Sequence, residues 1–389
     1  MIFNKHLRGH VLAALVLLAS TGEAAAQVQL DLSRLWEIGG TDTDAAYAFG
    51  LVGDMAFGPE GSVYVLDSGN AVVRVYDSTG RHLRSFGGQG EGPGEFRFPT
   101  RMLVAEDGIR VFDGSLKRVT YFDHAGVLVE SRTLIDNGAQ FDVVLPLRHG
   151  KSLGATTGLQ LTPDLMRLVG QSRQVVKRDG PRARGGTDRI VALFDSTSTK
   201  VDTIFSYDHG AILRIGPRGV GPLRGYWGSG GSWAVSGDSL VVLVDGFQGE
   251  VRVLSIEPMT LRIVRSGRVP IEPKSLGESD WRNLEEFLLS ERAGTRADHL
   301  LGPLFRAQLG EPVFASDGTL WLRRLEIDPT RSHAAGPPVY LVIPPNGGQQ
   351  YNVSLPAGLS LRAVRGDFLL GQRRSDLGVD IVELWRINQ

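Results

Sequence analysis

The chain has 389 residues, 42% of them apolar, with 42 Lys and Arg against 43 Asp and Glu and no cysteine. That length and apolar content can fill a large core, which excludes a disordered chain. The near-zero charge balance leaves no basic footprint for a nucleic-acid partner, and the lack of cysteine excludes disulfides, a thiol nucleophile and a lipid attached through a thiol.

Lys5 and Arg8 precede a short apolar core, Val11–Ala19, and Ala24-Ala25-Ala26 supply small residues before Gln27. This pattern predicts a secretory signal over residues 1–26 and a single domain over 27–389, in the periplasm or outside the cell. The apolar core is too short to cross a bilayer, and no later run approaches the length that a span needs. Val28–Ile38 follows with Leu30, Leu32 and Leu35 and reads as a strand.

The stretch Gly61–Phe96 is the unit that recurs. Ser62–Leu66, Val72–Tyr76 and His82–Phe86 read as three strands, the last two joined by Asp77-Ser78-Thr79-Gly80. Asp can hydrogen-bond its own turn and Gly can take positive φ, so this link suits a tight hairpin. The unit repeats without gaps 46 residues later, where Asp67 maps to Asp113, Asp77 to Asp123, Gly80 to Gly126 and Tyr76 to Phe122. Several strands at such a period are the signature of propeller blades.

Six turn dipeptides, each followed by an apolar strand, mark the repeat: Glu60-Gly61, Asp107-Gly108, His149-Gly150, Gly237-Asp238, Asp317-Gly318 and Gly366-Asp367. Their glycines are spaced 47, 42, 87, 81 and 48 residues apart. The two doubled spacings allow seven or eight blades, or six blades with insertions. Insertions fit better, because Gly216–Gly231 is loop-like and Ser279–Ala293 has Trp281, Leu284 and Leu288 at helical spacing, with Ser279 placed to cap it. The expected fold is therefore all-β, a six-bladed β-propeller with one short inserted helix. The innermost strands are predicted to include Met55–Phe57, Arg101–Val104, Val143–Leu147, Trp233–Val235, Val313–Ala315 and Leu361–Val364. Val379–Ile387 is a late strand, and the N-terminal strand should complete its blade, because an open sheet edge invites association. A monomer is expected.

Gly87–Phe98 (GGQGEGPGEFRF), followed by Arg101–Val104, a DG turn and VFD, resembles the linker of NHL-repeat six-bladed propellers. The resemblance covers about Asp54–Leu134 and is thinner over Trp233–Arg252. It implies that the glycines carry the chain from the outer strand of one blade to the inner strand of the next, with Phe96 plugged between blades. Members of that family include protein- and RNA-binding modules, cell-surface sensors and an amidating lyase, and similar rings serve as metal-dependent lactonases. None of the lyase's metal-binding histidines can be matched here.

Candidate chemistry is sparse. Asp67, Asp113 and Asp245 each end an apolar strand, with Arg74, Arg118 and Arg252 on the neighbouring strand, and together with Asp77 and Asp123 they read as structural repeat residues. His82, His124, His149, His209, His299 and His333 show no metal-ligand spacing, and Asp42-Thr43-Asp44 lacks the rest of a calcium loop. No cofactor or metal is expected of a binding protein; calcium or zinc would accompany an enzyme. Arg97, Arg101, Arg148, Trp233 and Arg362 lie beside the inner strands and are the candidate ligand-binding residues at the channel mouth. Converging arginines would suit an anionic group. Two functions follow: a binding or scaffolding propeller for a protein, peptide or glycan, or a metal-dependent hydrolase or lyase acting in the channel.

Overall fold

The computed structural model describes residues 25–40, 44–133, 141–147, 152–157, 188–194, 200–208, 212–216, 219–223, 231–237, 239–257, 261–272, 299–301, 308–325 and 337–388, with a few shorter pieces. The middle strands of the repeat, such as VYVLD at Val63–Asp67 and GIRVFD at Gly108–Asp113, are buried along their whole length. A strand apolar on both faces must be covered on both, and here each sheet is covered by the sheets before and after it.

Six antiparallel blades result, each listed from the channel outwards. Blade one is Val52–Phe57, Val63–Asp67, Val72–Tyr76 and His82–Gly87, and blade two is Pro99–Ala105, Gly108–Asp113, Arg118–Phe122 and Leu128–Thr133. Blade three is Phe141–Pro146, Ser152–Thr157, Asp188–Phe194 and Lys200–Asp208. Blade four is Gly231–Ser236, Leu240–Asp245, Glu250–Ile256 and Leu261–Arg268. Blade five is Leu309–Phe314, Leu320–Arg324, Val339–Ile343 and Tyr351–Ser354, and blade six begins with Ser360–Arg365, Phe368–Arg374 and Asp380–Ile387. The six predicted inner strands thus fall on the six observed ones, and the doubled glycine spacings hold insertions rather than further blades.

The core is six apolar clusters, one at each junction between blades. Val63 and Val65 join Leu370, Val382 and Leu384 of blade six, while Tyr64 and Leu66 join Met102, Ile109, Val111 and Phe122 of blade two. Phe112 and Val119 meet Ala192 and Phe194, and Val191 and Leu193 meet Val241 and Leu243. Val242 and Val244 face Leu320 and Leu322, and Tyr340 and Val342 face Leu361 and Leu369.

The N-terminal strand closes the ring as the sequence suggested. Leu32–Gly39 pairs antiparallel with Asp380–Ile387, from Leu32 opposite Ile387 to Gly39 opposite Ile381, and is the outermost strand of blade six. Trp36 also donates its indole N–H to the Ser78 carbonyl of blade one at 3.0 Å. Just before it, Ala26–Val28 adds in parallel to Tyr351–Ser354 of blade five.

One insertion departs from expectation. Gly216–Gly231 is not a plain loop: Ile212–Gly216 and Gly219–Leu223 form a hairpin, and Leu213 pairs with Leu301 of a distant strand. That partner comes from the following insertion, so local composition could not show it. The helix expected over 279–293 lies outside the described residues apart from helical backbone at Ser279 and Arg282.

Deleting residues 27–40 should remove the burial of Leu32, Trp36 and Ile38, each worth about 1.5–3 kcal/mol when complete. The urea midpoint of the truncated protein should fall well below that of the full chain. An unchanged midpoint would show that the ring does not depend on this strand.

Candidate functional site

The innermost strands present their edges to the central channel, and most of them share one irregularity. A single extra residue interrupts the pairing between Val52 and Asp54, Pro99 and Arg101, Phe141 and Val143, Leu309 and Pro312, and Leu361 and Ala363. These β-bulges lie at equivalent places near the start of each strand; blade four pairs Gly231 through Ser236 without one. A bulge re-aims side chains locally. Packing shows the same shift: Val52 and Met55 enter one cluster, Leu361 and Val364 another, although three residues apart on a strand.

The channel holds a cavity of about 460 Å³, lined from five of the six blades and running from the bulges to the far ends of the inner strands at Phe57, Gly237, Ser316 and Arg365. Its charged side chains are Asp54, Arg101, Glu311, Arg362 and Arg365, and Trp233 supplies an aromatic wall. Asp54 is engaged, accepting from the backbone N–H of Met55 at 2.9 Å and of Met102 at 3.0 Å, which ties blade one to blade two. Arg365 donates to the Gly58 carbonyl at 2.6 Å and lies 4.6 Å from the Phe57 ring centroid. Burial pulls its guanidinium below the usual value. Arg362 donates to the amide oxygen of Gln372 at 2.7 Å, while its buried Nε has no partner among the described residues. Arg101 makes one long bond, 3.3 Å, to the neighbouring Thr100 carbonyl.

Of the five ligand-binding candidates, Arg101, Trp233 and Arg362 line this cavity together. Arg97 does not: its exposed guanidinium turns back to Glu91 within the glycine-rich linker, and its backbone N–H is held by Asp113 at 2.7 Å. Arg148 lies outside the described residues. Sequence reading missed Asp54, Glu311 and Arg365. Asp54 was detectable in principle, because the repeat places it opposite Leu66 as it places Arg101 opposite Phe112.

The repeat aspartates are spent on the frame. Asp67 is fully buried and accepts from the N–H groups of Gly50, Leu51 and Asn70, the Asn70 amide and Arg74, the last at 2.5 Å. Asp113 holds the N–H groups of Arg97 and Phe98 on one side and of Ser115 and Leu116 on the other. Each carboxylate thus clamps the linker into the inner strand and the turn out of the second strand. Asp245 accepts from Phe247 and Gln248, and burial pushes its carboxyl above the usual carboxylate range. Among the described residues Arg74 pairs with its repeat aspartate, whereas Arg118 donates to the Glu91, Gly92 and Glu95 carbonyls and Arg252 pairs with Glu250. Asp77 and Asp123 cap their hairpins, accepting from Thr79 and Arg81 and from Val127. Phe96 is fully buried 5.9 Å from Phe122, between blades one and two.

His82 bonds Ser85, and His124 faces Tyr64 and the Glu106 carbonyl. His149, His209 and His333 lie outside the described residues, as do Asp42 and Thr43. Among the described residues no three His, Asp or Glu side chains gather into a metal site.

The family model DUF5128, described as a 6-bladed beta-propeller, matches residues 50–146. No curated protein matches the chain by sequence. Among solved structures, the fold is similar to that of a Bacteroides fragilis protein described as exported, at 14% identity and a TM-score of 0.53, over 96% of this chain and 100% of that one. It is also similar to a DUF4221 family member from Bacteroides vulgatus, at 11% identity and a TM-score of 0.52, over 92% and 99%. Virginiamycin B lyase from Staphylococcus aureus superimposes at a TM-score of 0.42 with 10% identity, over 92% and 100%. At these identities the likeness is one of fold, and that fold is the six-bladed propeller.

Asp67→Ala should destabilise the protein by about 3–5 kcal/mol, the usual cost of stranding a buried charge, here Arg74. Asp77→Ala, at an exposed hairpin, should shift the urea midpoint far less. Equal shifts would remove the distinction between clamp and cap.

Proposed function

We propose that the protein is a secreted binding propeller which takes a protein, peptide or glycan at the channel face, without chemistry of its own. One observation carries this reading: Arg101 and Arg362 reach a common cavity, and neither is paired with a carboxylate among the described residues. Guanidinium groups held this way keep donors for an anionic group, which they bind through charge-assisted, often bidentate bonds. Trp233 adds a flat apolar surface of the kind that small ligands and side chains pack on. The cavity falls within the roughly 300–1,000 Å³ that ligand pockets commonly occupy. Export rests on the pattern of residues 1–26, with a mature chain from Gln27 that forms one domain. A hydrolase or lyase acting in the same channel would need metal ligands from beyond the described residues.

The test is a thermal-shift and calorimetry panel of peptides, acidic glycans and small anions on the mature protein and on an Arg101→Ala/Arg362→Ala variant. Losing two charge-assisted contacts of about 1.5–3 kcal/mol each should weaken any true channel ligand more than tenfold. Affinities unaffected by the double substitution would place binding elsewhere. One tightly held calcium or zinc ion per purified chain would turn the reading towards the metal-dependent enzyme.

A further inference from the structure

The outermost strands of the six blades differ in one respect. Five of them carry an extra residue in their pairing with the strand inside: Leu83 in blade one, Val129 in blade two, Val201 in blade three, Val264 in blade four and Leu35 in blade six. All five are aliphatic, and Leu35, Leu83 and Val129 stand exposed. A bulge twists an edge strand out of regular pairing and so discourages the addition of a further strand. Tyr351–Ser354 of blade five pairs with the strand inside it without a bulge. Among the described residues it is also the one such strand on which another is seated: Ala26–Val28 lies on it in parallel, with Ala26 opposite Tyr351 and Val28 opposite Val353.

The side chains of this edge are set for the added strand. Asn352 donates its amide N–H to the Ala25 carbonyl at 2.9 Å, while its amide oxygen accepts from Arg324 at 2.7 Å, which holds the donor towards the added strand. Gln27 donates to the Ser354 hydroxyl at 3.1 Å, and Ala25 lies against the apolar cluster between blades four and five. A cut before Gln27 removes Ala25 and Ala26. It vacates the place on the cluster, takes the acceptor from the Asn352 amide and leaves only Gln27 and Val28 on the edge, a chain end prone to fray. We propose that the outer edge of blade five is a strand-docking site of the mature protein, and that its occupant is an extended segment of another protein, added in parallel with a small apolar residue where Ala25 lies. Backbone pairing supplies the hold, and Asn352 sets the register. This site is separate from the channel, and it rests on the cut before Gln27.

The test uses the chain purified after export, whose intact mass fixes its N-terminus. The probe is a fluorescent peptide of residues 22–29, titrated by anisotropy. A chain starting at Gln27 should bind it one to one, and Asn352→Ala should weaken the affinity at least tenfold. The same peptide carrying Ala26→Pro and Gln27→Pro should not bind, because proline has no N–H to donate. Hydrogen exchange should slow at Tyr351–Ser354 on binding and stay unchanged at Leu128–Thr133, the bulged outer strand of blade two. No binding to a chain that starts at Gln27, equal binding of the proline peptide, an affinity unmoved by Asn352→Ala, or protection spread over the bulged strands overturns the inference. A chain cut at Ala25 or earlier keeps its edge filled and also overturns it, while export and the channel reading stand. An uncut chain overturns both the docking site and export. Dimerisation of the mature chain in sedimentation, lost in Asn352→Ala, would make a second copy the occupant and overturn the choice of partner.

Discussion

The structure depends on one constraint: successive residues of each middle strand must be buried in two different places. Val63 and Val65 belong to the junction with blade six, Tyr64 and Leu66 to the junction with blade two. The same split runs through Val241 and Leu243 against Val242 and Val244, and through Leu369 against Leu370. Pleating makes this division automatic, because side chains alternate between the two faces of a sheet. No blade can therefore be completed by itself. Each sheet is a core residue for its neighbours, and the arrangement ends only when the last sheet meets the first. The cluster of Val52, Met55, Leu370, Val382 and Leu384 is that meeting.

The polar groups of the repeat serve the same constraint. Moving from the outer strand of one blade to the inner strand of the next brings backbone amides into a dry region, where each needs an acceptor. Asp67 and Asp113 supply it from the ends of the second strands. Their oxygens are filled by these bonds, as their reading as structural repeat residues requires. What differs from blade to blade is the supporting arginine: Arg74 neutralises its aspartate, while Arg118 instead holds the carbonyls of the glycine-rich linker. The repeat preserves the clamp and lets the second partner vary.

Much of this was legible because burial on two faces writes a continuous apolar run, bounded by turn residues, into the sequence. The six inner strands, the hairpin aspartates and the N-terminal strand follow from such local patterns, while the plug at Phe96 came from the resemblance of its linker. Arg97 was misplaced because its neighbour sets it: the linker folds back so that the Gly88 carbonyl accepts from Phe96 N–H, which carries Arg97 over Glu91 and away from the pore. The hairpin at Ile212–Leu223 escaped notice because it is completed by His299–Leu301 from another insertion. Glu311 was missed for a third reason. A bulge is a relation between two strands, and neither strand shows it alone.

That third reason also explains where a task could be added to this frame. A one-residue slip along a whole strand would turn every side chain to the wrong junction. A bulge confines the slip. Leu309 lies before it and Phe314 after it, five residues apart, yet both pack towards blade four, and Leu361 and Val364 behave likewise towards blade five. The extra residue between them is owed to neither junction. In blade six it is Arg362, and in blade five it lies within Gly310–Glu311, so both enter the channel at no expense to the core register. Blade four has no bulge and keeps strict alternation, and its contribution, Trp233, is accordingly shared between the channel and the junction with blade three. In blades one and two the extra residue is Gly53 and Thr100, and the charged Asp54 and Arg101 follow it as the first paired residues, so the bulge sets their place in the channel without itself supplying the charge.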